Sequence, residues 1–85
     1  MSALPRHVHR LKFQAVRALR RKALALGGVD GETATLVANK IAGRNTLPAM
    51  IALFCENNFT AQWVPAEVHA LRCAVTPRGN MEAAQ

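Results

Sequence analysis

Between Val8 and Leu26, Val8, Leu11, Ala15, Leu19, Ala23 and Leu26 fall on one side of the chain when successive residues are turned by about 100°. Arg10, Arg17, Arg20 and Arg21 fall on the other side. The spacing predicts a first helix that starts near Pro5, which a first turn tolerates, and ends at Gly27-Gly28. Lys12 and Lys22 lie at the flanks of the apolar stripe, where a long stem covers apolar surface and the ammonium group reaches water. Asp30 is placed to cap a second helix with Glu32 in its first turn, Ala34, Val37 and Ile41 as its buried face and Gly43 as its stop. Thr46 caps a third, with Pro48 in the first turn. From Leu47 to Cys55 every residue but Pro48 is apolar, and a helix apolar nearly all round is central to a core or sits at an interface. Few elements are left in so short a chain to surround it, so Met50 and Phe54 are the expected interface residues. Asn57-Asn58 ends this helix. The linker Phe59–Val64 carries Phe59 and Trp63 to the core or its edge, and Pro65 opens a fourth helix striped by Val64, Val68, Leu71 and Val75.

The pattern describes an all-α fold, a small bundle of about four helices joined by short connections. Residues 1–80 are expected to form one domain, and 81–85 a frayed tail. A domain of 85 residues buries only about 60% of its extended-chain surface, so dimerisation is an expected source of extra stability. No apolar run approaches the roughly 20 residues of a membrane span, and the N-terminus lacks the apolar stretch of a secretion signal. The expected location is the cytoplasm, with Cys55 and Cys73 as reduced, buried thiols.

Charge adds what periodicity does not. The formal net charge is +6, and residues 1–29 hold seven of the eleven basic side chains and no acid. From Asp30 onward four basic residues face five acidic ones. The high isoelectric point therefore belongs to the first helix. A segment of one sign attracts phosphate, an acidic protein face or an anionic membrane surface, over about 8–10 Å in physiological salt. The alanine- and arginine-rich composition resembles that of small accessory proteins of phages and other mobile elements, a likeness that transfers no residue.

Enzymatic chemistry finds little support. Ser2 is the one serine, tyrosine is absent and the carboxylates are scattered, whereas covalent or acid–base catalysis needs a nucleophile or base beside an orienting partner. His69 and Cys73 share the i, i+4 spacing of two metal ligands, with Cys55 or His7 and His9 as conceivable companions, but no metal-binding motif completes the set. No catalytic residue, metal, cofactor or small-molecule substrate is expected. A helix-turn-helix formed by the second and third helices would present Thr46-Leu47-Pro48-Ala49-Met50-Ile51 to a groove, without one cation to meet base edges or phosphates.

The binding face therefore falls on the first helix: Arg10, Phe13, Arg17, Arg20, Arg21 and Leu24. The bland alternative is a solvated charged face with Phe13 and Leu24 tucked under a neighbour. A basic amphipathic helix also suits a membrane surface. The reading favoured is a non-enzymatic regulator or inhibitor that docks on a larger protein through this face and the apolar surplus of the third helix. The runner-up is a DNA- or RNA-binding protein that uses the same face. A homo-oligomer is expected in either case.

Overall fold

The computed structural model describes residues 3–76, which form four helices: α1 (Arg6–Leu26), α2 (Gly28–Ala42), α3 (Leu47–Glu56) and α4 (Ala66–Val75). The all-α reading holds; among the described residues the only extended pairing is an isolated bridge between Ala3 and Thr46. The tail 81–85 lies outside the described residues.

α1 and α2 form a tight hairpin about Gly27, which ends one helix and precedes the next. Gly27 has φ 63° and ψ 180°, a region open essentially to glycine alone, and Gly28 follows at φ 57°. Because the chain turns within these two residues, α2 begins at Gly28 and Asp30 lies in its first turn rather than at its cap. Gly31, Ala34, Ala38 and Ile41 are buried, and the small size of the first three lets α2 approach α1 closely.

α1 is also the helix against which α4 packs, so it serves as the spine of the bundle, whereas α2 touches α3 lightly. Val8, Ala15, Val16 and Leu19 form its core side, and Val64, Val68, Leu71 and Val75 are all buried from the other direction. The Thr46 hydroxyl accepts a hydrogen bond from the amide of Ala49, capping α3 as the sequence predicts.

Met50 and Phe54, the expected interface residues, are buried in the core. Both are enclosed within the single chain, where α3 packs against α4 and, more lightly, against α2. The ring of Phe54 meets Phe59 edge-on at 5.5 Å, and the guanidinium of Arg72 lies 5.6 Å from its centroid. Arg72 also donates to the carbonyls of Asn57 (3.0 Å) and Asn58, fastening the α3–α4 connection. The cysteines depart from expectation too: Cys55 and Cys73 are free but exposed, since Met50, Leu53 and Phe54 on α3 and Val68, Leu71 and Val75 on α4 take the inward positions.

Candidate interaction surface

The outward face of α1 follows from its helical period. Turned by about 100° per residue, Arg6, Phe13, Arg17 and Leu24 fall within roughly 40° of one another, opposite Val8, Ala15 and Leu19. Arg10 and Arg21 flank this line on one side and Arg20 on the other. All five arginines are exposed. From Arg6 to Leu24 the line runs about 27 Å at 1.5 Å per residue.

Phe13 and Leu24 are not covered by a neighbouring helix. Phe13 is 59% exposed and Leu24 88%. The guanidinium of Arg17 sits 5.7 Å from the centroid of the Phe13 ring, so a cation and an aromatic face are already paired on the free protein. Such exposed pairs contribute about 0.5–1 kcal/mol, enough to bias the rotamers toward one arrangement.

Beside this line, a cleft of about 190 Å³ opens between α1 and the end of α2. Phe13, Val16 and Ala42 supply its apolar walls, and His9, Arg17 and Arg20 its polar ones. Across the helix, Arg17 and Arg21 share a shallower hollow with Glu67 of α4.

Lys12 belongs to the fold more than to this face. It is buried, and its Nζ donates to the carbonyl of Arg44 (2.9 Å) and to Oδ1 of Asn45 (3.0 Å). Burial lowers its pKa from the ordinary lysine value. Its stem crosses the apolar side as expected, but its ammonium group ends on the α2–α3 turn. Thus one of the seven basic residues of the N-terminal segment is a structural tie.

His69 and Cys73 are both exposed on α4, and among the described residues no three His, Cys, Asp or Glu side chains come together to hold a metal. The described helices include none long and apolar enough to cross a membrane.

Sequence reasoning missed two exposed apolar residues, Val29 (78%) and Leu36 (60%), on the outer side of α2. Their signal is present: they stand seven apart, on the side of the helix away from Ala34 and Ile41. No protein-family model, curated protein or solved structure matches this chain, so the functional reading rests on these surfaces alone.

Proposed function

We propose that this protein is a small non-enzymatic regulator or inhibitor that docks on a larger protein through the outward face of α1. The observation that carries the reading is the exposure of Phe13 and Leu24 in line with Arg6, Arg10, Arg17, Arg20 and Arg21. Arginine and large aromatic side chains supply most of the binding energy at protein interfaces, whereas phosphate contact alone gives no reason to keep a leucine 88% exposed. The matching partner surface is acidic with apolar side chains among its carboxylates. α3 has no part in it, since Met50 and Phe54 are used inside the fold. The protein acts in the cytoplasm, where the exposed thiols of Cys55 and Cys73 stay reduced, and it self-associates.

The second reading is nucleic-acid binding by the same face, favoured by five exposed arginines on a helix without an acid. Two measurements separate the readings. In the first, wild type, Arg17→Glu/Arg20→Glu and Phe13→Ala/Leu24→Ala are compared for capture of proteins from cell lysate, with helical circular dichroism as the folding control. The expected result is one protein retained by wild type and lost by both variants. In the second, fluorescence anisotropy follows labelled random duplex DNA and single-stranded RNA at low and physiological salt. Weak binding that vanishes at physiological salt agrees with a protein partner. Tight binding with a steep salt slope (a fall in log affinity of about 0.7–0.9 per phosphate per log unit of salt) that is indifferent to Phe13→Ala/Leu24→Ala overturns it in favour of nucleic acid.

A further inference from the structure

We infer that a second copy of this chain docks on the outer face of α2, antiparallel and about a two-fold axis at Leu36. This rests on the self-association proposed above and gives it a place. Large apolar side chains are exposed in two regions of the described chain, the α1 face and the α2 face. Two copies cannot meet comfortably on α1, because each would set five arginines against five. The outer side of α2 carries both signs, Glu32 and Lys40, around Val29 and Leu36.

The order of those residues is self-complementary. Glu32 stands four before Leu36 and Lys40 four after it, and all three are exposed. In an antiparallel pair centred on Leu36, residue 36 − n lies level with residue 36 + n of the other copy. Glu32 of each copy then meets Lys40 of the other, twice, on either side of a central Leu36–Leu36 contact. Val29 comes level with Gly43 of the second copy, which has no side chain to obstruct it. The hydroxyl of Thr33, on the same side of α2, already donates to the carbonyl of Val29 at 3.0 Å, so burying it leaves no donor unpaired. A parallel pair would instead set Glu32 against Glu32 and Lys40 against Lys40. A seam of one helix is smaller than the roughly 800 Å² per partner of a standard interface, so the dimer is a weak, concentration-dependent one.

Sedimentation velocity on the full chain across a concentration series tests this. Wild type is expected to shift from monomer to dimer as concentration rises. Leu36→Glu and Val29→Lys remove exposed side chains and are expected to stay monomeric with unchanged circular dichroism. Lys40→Glu is expected to abolish the dimer, and Glu32→Lys/Lys40→Glu to restore it. A wild type that stays monomeric at its solubility limit overturns self-association and this placement together. A wild-type dimer that survives Leu36→Glu keeps self-association and overturns the α2 site. A dimer that Leu36→Glu breaks and Lys40→Glu leaves intact overturns the antiparallel register.

Discussion

At Gly31 even one added methyl group meets backbone: an ideal Cβ there lies 2.7 Å from the carbonyl oxygen of Ala23. Alanine would gain about 1 kcal/mol in helix propensity, but overpacking against a rigid helix costs about 1–3 kcal/mol. Gly31→Ala is therefore expected to lose up to about 2 kcal/mol net, read as a lower urea midpoint at unchanged slope. Gly27 fails for a different reason. Nothing lies within 4 Å of its absent Cβ, so Gly27→Ala loses stability through the backbone conformation alone. Lys12 gives a pH signature. Its pKa is lowered in the folded state, so in the alkaline window between that lowered value and the ordinary 10.5 the unfolded chain binds a proton that the native chain does not. Stability attributable to Lys12 therefore rises with pH through that window. Lys12→Met is expected to remove this rise and, near neutrality, to lose about 1 kcal/mol with the two hydrogen bonds to the α2–α3 turn. Urea titrations of both proteins at neutral and alkaline pH check it.

Among the elements, α1 divides its circumference between the core and the exposed face proposed for a partner, and α3 gives all its large apolar side chains to the core. The difference separates two kinds of variant. Reversing Arg17 and Arg20 changes only exposed groups, so helical content should persist while binding disappears. Met50→Lys buries an unpaired cation, with an expected loss of about 3–5 kcal/mol, and should unfold the chain at ordinary temperature. Met50→Leu, close in volume, should lose less than about 1.5 kcal/mol and keep a cooperative melt. If Met50→Lys instead gave a folded monomer, the enclosure of α3 would be wrong. The α3–α4 connection depends on Arg72 and on Phe59, which holds φ 51°, an uncommon conformation for a bulky residue. Phe59 stays there because its ring packs on Phe54 while Arg72 holds the two carbonyls before it.

Over the whole molecule the charge asymmetry becomes a property that can be measured. Five arginines exposed along one helix repel one another, and salt screens that repulsion over about 8–10 Å. Wild type is therefore expected to melt a few degrees higher as salt is raised from low to physiological, and Arg17→Glu/Arg20→Glu to show a smaller rise. Differential scanning calorimetry distinguishes the two, and equal slopes would mean that the arginines do not interact. The same asymmetry underlies both proposals, α1 for a partner of opposite charge and α2, with its mixed charges, for a second copy.

The sequence by itself determined the four helices, their boundaries to within a residue or two except for the start of α2, which lies three residues before the expected one, and the buried stripes of α1 and α4. These follow from periods and breakers that act over one or two turns: Pro5, Gly27-Gly28, the Thr46 cap, Asn57 and Pro65. It also placed the basic face, because a helix with a known core side has a known outer side. Only the tertiary structure decided which apolar residues are covered. Leu36 and Leu53 have the same side chain, yet one is 60% exposed and the other 1%, according to whether another helix passes over that part of the surface. Cys55, Cys73, Lys12 and Arg72 were decided the same way. The hydrogen bond from Lys12 spans 33 positions along the chain, burial depends on helices as distant as α1 and α4, and no local pattern records either.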